Sequence, residues 1–599
     1  LSLGRFTPEG NQVNRLVNEI VVDQFARQMH SFSARNYRDR FALSLNQSVV
    51  EATDQVNANL RFGLAFRAEP VLGGRRSLRS RVSCTQLLNA VVESLEKQLH
   101  EVLSVLDRRD VLQHAIRNYE TATFRKDRWE KTAQANISLH PDDPDAAEVI
   151  ARQTGRLNSA ITGSRLLLEI AGTMCTVLNG RQIGQIEFQE VLSLIDSVQI
   201  LRGWADSIHR GAMPPVLKIT PLGDILADTT FQDEVMHCFH LYASKMSVEE
   251  GAANVVQNYK KPEPIFRDAP NLNSFEAALL SEVGIGIDEI SLFLEALEDL
   301  GVKEDSLFYE IDRKSLLNFL DSYHSRDTAE SVLDAFTLPS RADWSSIPNC
   351  FRGRDLELWQ TRRMLSAVRR PIIDIGCGSE LLISPSMVRE SVAHVIHAYF
   401  EGHYFDEDLK SKPMRQWKSK RANERGTKFA TLVRDRLEEL GWQTWLELEF
   451  TELFELGPGH VDRRFLKQLG DVDVLAFDPN ARRLLAIECK DLYYNKTHWE
   501  VAGQLLDYRG ETKPNGKPDD LLKHLNRMEF MRVHLEFASR FVGTQISARL
   551  EPWIIFRHPT PMLFQPNHFQ GKTSVGYFDD FGKHFSLNFI ESTWSDDSQ

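Results

Sequence analysis

Along the first 345 residues the apolar positions recur mostly three and four apart, the spacing of one helical face. Gln12 to Met29 and Leu87 to Leu106 are predicted helices on this pattern. Between them Ala58 to Phe66 roughly alternates, which predicts a strand, and Gly73-Gly74-Arg75-Arg76 predicts a loop. Pro141 to Asp145 punctuates the chain, and Asp145 with Glu148 has capping-box spacing. A helical stripe follows through Leu157, Ile161, Leu168, Ala171 and Leu178. Gln189 to Ile208 predicts a further helix, broken before Pro214-Pro215, and Lys260 to Pro270 predicts a Pro-rich loop. Phe275 to Leu300 reads as helix, turn at Gly284-Ile285-Gly286, and helix from Asp288. The spacing is that of a helix-turn-helix. Its second helix, however, carries Asp288, Glu289, Glu295, Glu298 and Asp299 and no cation among them, so helical packing is expected rather than phosphate contact.

The pattern changes after residue 345. Arg370 to Ile375 and Glu380 to Ile383 predict short strands, and Ser384-Pro385-Ser386 opens a helix through Phe400. Arg425 to Leu440 predicts an amphipathic helix stopped by Gly441, and Thr444 to Phe454 a strand. Two apolar runs of strand length follow, Gly470 to Asp478 and Leu484 to Asp491, separated by the turn residues Asp478-Pro479-Asn480. Trp499 to Arg509 predicts a helix and Pro552 to Phe556 a strand. The expected organisation is multidomain: a mainly helical region 1–135, a helical domain 136–345, an α/β bridging segment 346–409 and an α/β domain 410–599.

At 599 residues the chain is long enough for several domains, about 100–200 residues each. Its 42 % apolar and 26 % charged residues exclude a largely disordered chain, a collagen and a rod. Cys84, Cys175, Cys238, Cys350, Cys377 and Cys489 form no C-x-x-C pair. That argues against a disulfide scaffold, a zinc ribbon and a four-cysteine cluster, and reduced thiols in a cytoplasm are expected. No apolar run reaches the roughly 18 residues of a membrane span, so no membrane partner is expected. The chain begins at Leu1 with no signal pattern, and the missing Met predicts a trimmed or partial chain. No Walker loop, G-x-S-x-G elbow or H-E-x-x-H motif is present. His237 with His240, and His394, His397 and His403, lack the context of a metal site, and packing is expected for them.

The net charge of −13 falls almost wholly on residues before 410. Lys410 to Arg436 is a dense basic run that includes Lys418, Lys420, Arg421, Arg425 and Lys428. Such a run suits either a polyanion or a solvated linker.

Chemistry concentrates in the predicted hairpin. Side chains alternate along a strand, so Glu488 and Lys490 share one face and Cys489 takes the other. Asp471 and Asp473 likewise share a face. Pairing around Pro479 brings Asp473 and Glu488 together at one end, with Lys490 beside them. Two carboxylates at one buried site suit a hard cation, Mg²⁺ or Mn²⁺. Glu-x-Lys alone equally suits an exposed hairpin pair. The acid, turn and Glu-x-Lys in succession are more specific.

Gly-Asp-Val-Asp-Val-Leu-Ala (470–476) and Ile-Glu-Cys-Lys (487–490) resemble the metal-binding strands of the PD-(D/E)XK, or restriction-endonuclease-like, nucleases. The resemblance covers about residues 420–560. It implies a C-terminal α/β domain with a mixed β-sheet flanked by helices, in the order helix, three-stranded meander, helix, strand. It implies a Mg²⁺- or Mn²⁺-dependent nuclease acting on nucleic acid, with DNA expected, cut within the chain. Asp473, Glu488 and the main-chain carbonyl of Cys489 would hold the metal, and Lys490 would assist the attacking water. Gln504 and Tyr508, as Gln-x-x-x-Tyr, resemble the RecB-like branch, where such a pair contacts DNA. Many relatives carry a metal-binding Glu on the first helix, just after a Phe. Here Ala430 follows Phe429, which leaves Glu447, Glu449 or Asp471 as substitutes. Lys418, Lys420, Arg421, Arg425 and Lys428 would lead phosphate to the site. Apart from the resemblance, Tyr493, Tyr494 and Trp499 suit either stacking on bases or, more in keeping with their type, a core or surface aromatic cluster. A sensing, oligomerising or restraining helical region in a bacterial defence protein is expected. The alternatives are a catalytically degenerate nucleic-acid-binding module and a helical interaction scaffold.

Overall fold

The computed structural model describes residues 37–45, 47–139, 144–228, 230, 272–348, 351–357, 360, 363–376, 379–404, 406–454, 462–492, 498–513, 516–544, 548–564, 569 and 572–580. The expected helix at Gln12 to Met29, the loop at Lys260 to Pro270, and His237, His240, Tyr493 and Tyr494 lie outside them, as does the Trp499 side chain.

Four long helices build the N-terminal region: α1 (Arg81–Leu103), α2 (Arg108–Leu139), α3 (Pro144–Met174) and α4 (Gln185–Arg210). In α1 the buried positions are Cys84, Leu87, Leu88, Val91, Val92, Leu95, Leu99 and Leu103, one continuous stripe, and the Ser80 hydroxyl caps its first turn. α1 packs on α4 and α2 on α3. Helix α4 stops at Gly211, whose φ of +69° favours glycine. The predicted strand at Ala58 to Phe66 is instead a helix, Asp54–Arg61, followed by a 3₁₀ turn, Leu64–Ala68. Its apolar residues alternate, but Thr53 caps a helical turn there by accepting from the Val56 N–H. Asp145 lies inside the first turn of α3 rather than at its cap. A small antiparallel sheet, β1 (Ser77–Leu78), β2 (Leu217–Ile219) and β3 (Ile225–Ala227), closes this region.

The middle region is less purely helical than expected. α5 (Leu272–Val283) and α6 (Ile287–Lys303) match the helix–turn–helix pattern, and α6 turns Ile290, Phe293, Leu297 and Leu300 inward. It packs on α9 (Pro385–Phe400), where Glu298 pairs with Arg389. Helices α7 (Arg313–Leu320) and α8 (Arg326–Phe336) lie among four short strands, β4 (Tyr309–Asp312), β5 (Thr337–Leu338), β6 (Ile372–Asp374) and β7 (Glu380–Ile383), ordered β4-β7-β6-β5. This sheet joins residues on both sides of position 345, so the helical and bridging segments are one packed unit. Below it a buried ion pair ties α3 to the Arg363–Ala367 stretch: Glu169 accepts from Arg363 at 2.6 Å and from the Ala367 N–H at 2.9 Å.

The C-terminal region holds α10 (Lys412–Glu439), α11 (His498–Leu506), α12 (Asp520–Val533) and α13 (Leu535–Phe541) around a five-stranded mixed sheet. Its strands are β8 (Gln443–Glu449), β9 (Asp471–Asp478), β10 (Arg483–Lys490), β11 (Arg549–Phe556) and β12 (Ser574–Tyr577), in spatial order β12-β11-β10-β9-β8. β8, β9 and β10 are antiparallel neighbours, whereas β10, β11 and β12 run parallel. The Asp478 carboxylate accepts from the Asn480 and Ala481 N–H groups, which shapes the hairpin turn as expected. One face of the hairpin packs Val474, Ala476, Leu485 and Ile487 on Phe429, Ala430 and Val433 of α10. The other packs Leu475, Phe477, Leu484 and Ala486 on Met528, Met531 and Ala538 of α12 and α13. The predicted strand at Thr444 to Phe454 ends at Glu449, and Phe450–Leu453 is a short helix.

The regions are not separate bodies. Val501, Ala502, Leu505, Tyr508 and Phe556 belong to the same apolar core as the residues of α1 and α4. Arg509 donates to the Arg210 carbonyl at the end of α4, where a cation is favoured by the helix dipole.

Replacing Glu169 by Ala leaves the Arg363 guanidinium, 4 % exposed, without its carboxylate. The variant is expected to lose about 3–5 kcal/mol, read as a lower midpoint in urea. An unchanged midpoint would contradict the assignment of this pair as the tie between α3 and the middle region.

Candidate active site

The register of the hairpin sets the site. Ile487 pairs with Val474, so the next rung places Glu488 directly across from Asp473. On the other side Leu446 pairs with Val474 and Leu448 with Val472, so Glu447 stands across from Asp473 as well. Three acids thus occupy one rung of the sheet, but only two meet. Glu447 has a φ of +48°, rare for a residue with a side chain, and its carboxylate accepts from Thr427 on α10 at 2.6 Å. It is therefore turned toward the helix on the opposite face of the sheet. Glu449, also expected as a substitute, accepts from Thr451 at the start of the short helix. Asp471 is half-buried two residues from Asp473 and adds to the negative field there. Ala430 packs in the α10 interface.

The Asp473 and Glu488 carboxylates are stabilised very differently. Glu488 Oε1 takes the Lys490 ammonium at 2.8 Å, and Oε2 takes Arg527 Nη1 at 2.7 Å. Burial pushes the Glu488 carboxyl up, but Lys490 and Arg527 outweigh it and hold the group below the ordinary range. Asp473 Oδ2 accepts only the Cys489 N–H, at 2.6 Å, and Asp473 makes no ion pair among the described residues. Burial first, and the Glu488 charge second, raise it to about 7. Burial lowers the Lys490 ammonium, yet Glu488 reverses the effect and keeps it protonated. Cys489 points to the other face, its thiol pushed well up by burial, so its main chain alone adjoins the site.

Helix α12 supplies residues that the strand pattern did not reveal. Asp520, His524 and Arg527 lie four and three apart, on one face, and Asp519 caps the helix by accepting from the Leu522 N–H. His524 is 1 % exposed, with Nε2 at 3.2 Å from the Thr573 hydroxyl. Burial lowers its pKa to about 4, so the ring is neutral at physiological pH. Its Nδ1 and the Tyr508 hydroxyl are buried and have no hydrogen-bond partner among the described residues. Arg527 Nε also donates to the Leu469 carbonyl at 2.6 Å, fixing the entry to β9. Gly470 follows with a φ of +83°, and a Cβ there would come within 3.1 Å of Arg527 Nη2.

The remaining expected residues lie as follows. α11 ends at Leu506, so Gln504 is in its last turn and Tyr508 in the turn beyond, ring edge-on to Phe556 at 5.5 Å. Both precede α12, and the Tyr508 hydroxyl feels the Asp520 and Glu488 charges. The basic run forms α10, and its first half packs Met414 and Trp417 into the middle core. Lys418 pairs with Asp406, Arg421 and Arg425 with Glu401, and Lys420 with Glu424. Lys418, Arg421 and Arg425 are thus neutralised by the middle region, and Lys420 by its own helix. Lys428 is exposed and makes no ion pair among the described residues. His397 and His403 meet ring to ring at 5.9 Å. Among the described residues no three His, Cys, Asp or Glu side chains gather as a metal-holding group.

Two measurements test this geometry. An aspartate that is protonated when folded releases its proton on unfolding. Its contribution is therefore full below the ordinary value of 3.8 and is lost as pH rises through about 7. Asp473→Asn keeps an acceptor for the Cys489 N–H. In EDTA it is expected to melt above wild type at about pH 8, with a smaller difference at about pH 4. Equal melting temperatures at the higher pH would refute the raised value. Gly470→Ala is expected to destabilise by about 1–3 kcal/mol, because it forces a side chain into a glycine-only conformation against Arg527; a neutral effect in thermal melting would contradict that reading.

No helix among the described residues is long and apolar enough to cross a membrane. No curated protein and no solved structure matches the chain. A family model described as anti-phage protein Upx-like matches residues 2–582. That match spans the helical regions and the sheet together, and the chain belongs to the Upx-like family of anti-phage proteins.

Proposed function

We propose that this anti-phage protein acts as a divalent-metal-dependent nuclease, with its active site on β9 and β10 and a restriction-endonuclease-like C-terminal unit around them. The convergence of Asp473, Glu488 and Lys490 on one face of the hairpin carries the reading. The succession α10, β8-β9-β10, α11 and β11, with β11 parallel to β10, supports it. DNA is the proposed substrate.

The donor set fits a hard cation. Two carboxylates share a rung, the thiol faces away, and Asp473 has no cation of its own. Asp473, Glu488 and the Cys489 carbonyl would hold Mg²⁺ or Mn²⁺, with water completing the shell, as Mg²⁺ commonly requires. When bound, the cation polarises a phosphoryl oxygen and lowers the pKa of an adjacent water. Lys490 is held protonated by Glu488, so it serves as a donor and a positive charge near the phosphoryl group, not as a base. Tyr508 offers a buried hydroxyl beside the same cluster. The long helical region is proposed to sense infection or restrain the nuclease.

A second reading is a nucleic-acid-binding module without catalysis. It is favoured by the finding that, among the described residues, no three His, Cys, Asp or Glu side chains gather to hold a metal.

The full chain, incubated with plasmid and with linear single- and double-stranded DNA in Mg²⁺ or Mn²⁺, is expected to nick or cut. EDTA should abolish cleavage, and Lys490→Ala should slow it about 10²–10³-fold. DNA retained without cleavage under either metal would favour the binding module. Neither retention nor cleavage would favour a scaffold.

A further inference from the structure

We propose that Arg527 is a substrate-contacting residue, which exchanges Glu488 for a phosphoryl oxygen of the nucleic acid when a divalent cation takes up the carboxylate pair. This rests on the metal-dependent nuclease reading above.

Both Glu488 oxygens are already taken, one by Lys490 and one by Arg527. A divalent cation at this carboxylate adds a third positive centre beside these two, and the repulsion is relieved when one of the partners moves away. Lys490 shares β10 with Glu488, two residues away on the same face, so the strand itself keeps them together. Arg527 reaches across from α12 on a long side chain, and its Nε bond to the Leu469 carbonyl remains when Nη1 leaves Glu488. Arg527 is therefore the group that yields.

A guanidinium 17 % exposed is poorly solvated, and without its carboxylate it requires another anion. In this reaction the anion that arrives with the cation is the phosphodiester. Arginine suits the exchange because its two terminal nitrogens present a planar fork that matches two phosphate oxygens, while Nε holds the anchor. Nη2 makes no hydrogen bond among the described residues. It lies against Gly470, where the missing side chain leaves the fork unobstructed. A purely structural clamp would need Nε and Nη1 alone.

Two affinities of the full chain test the exchange. The first is for Mn²⁺, from the free-ion signal in electron paramagnetic resonance. The second is for a fluorescent DNA oligonucleotide in Ca²⁺, from anisotropy. Arg527→Gln removes the competitor for Glu488 and is expected to bind Mn²⁺ about tenfold more tightly, yet DNA about tenfold more weakly. Arg527→Lys keeps the charge without the fork. It should bind Mn²⁺ nearly as wild type does and recover only part of the DNA affinity. Unchanged or weaker Mn²⁺ binding by Arg527→Gln would overturn the competition. Tighter Mn²⁺ binding with unaltered DNA affinity would overturn the substrate contact, as would full DNA affinity in Arg527→Lys. Asp473→Asn separates the two levels: if wild type shows no Mn²⁺ binding that this change abolishes, the metal reading itself fails.

Discussion

Two carboxylates across one rung of a sheet repel each other, and burial magnifies the repulsion because little solvent screens it. At the end of the β9–β10 hairpin this conflict is met asymmetrically. Glu488 has two cations, one on its own strand and one from α12, and stays ionised. Asp473 has a single peptide N–H and is pushed toward its protonated form. The same asymmetry organises the surroundings. Arg527 must reach Glu488, so α12 lies over this face, and Gly470 must lack a side chain where Arg527 passes. Glu447, in line to be a third acid, is turned away by a left-handed backbone and held by Thr427. A third uncompensated carboxylate on that rung would have deepened the conflict.

The parts of this arrangement that follow from local periodicity were legible in the sequence. Alternation along two eight-residue strands, with Asp478-Pro479-Asn480 between them, is enough to place Asp473, Glu488 and Lys490 on one face. The residues from α12 were not legible. Asp520, His524 and Arg527 repeat like any polar face of an amphipathic helix, and nothing local says that this face turns toward Glu488. A polar i, i+4, i+7 series continuing into the apolar Met528 and Met531 was the available signal. Glu447 was hidden for a different reason: it stands in line with the rung, but a single positive φ redirects the side chain, and no pattern of residue types announces it.

The basic run shows that charge density along a sequence does not reveal its counter-ions. Ten cations between Lys410 and Arg436 suggested a path for phosphate. Three of them, Lys418, Arg421 and Arg425, pair with Asp406 and Glu401 of the preceding segment, and Glu282 of α5 accepts the Lys410 and Ser411 N–H groups. Much of α10 is therefore a docking element that holds the middle region to the sheet. The domain boundaries were obscured in a similar way. β4 and β5, four and two residues long, are too short for periodicity to expose, yet they bind the helical segment to β6 and β7.

The core that runs from α1 and α4 through α11 to Phe556 has a mechanical consequence. Interiors packed at crystal-like density transmit strain instead of absorbing it. Leu505 and Tyr508 share that core, and Arg509 is fastened to the last carbonyl of α4. A shift of α4 is therefore delivered to the Tyr508 side of the rung as a push through solid packing. Among the described residues that packing is unbroken from α4 to Tyr508, so the helical region meets the sheet through a shared solid core.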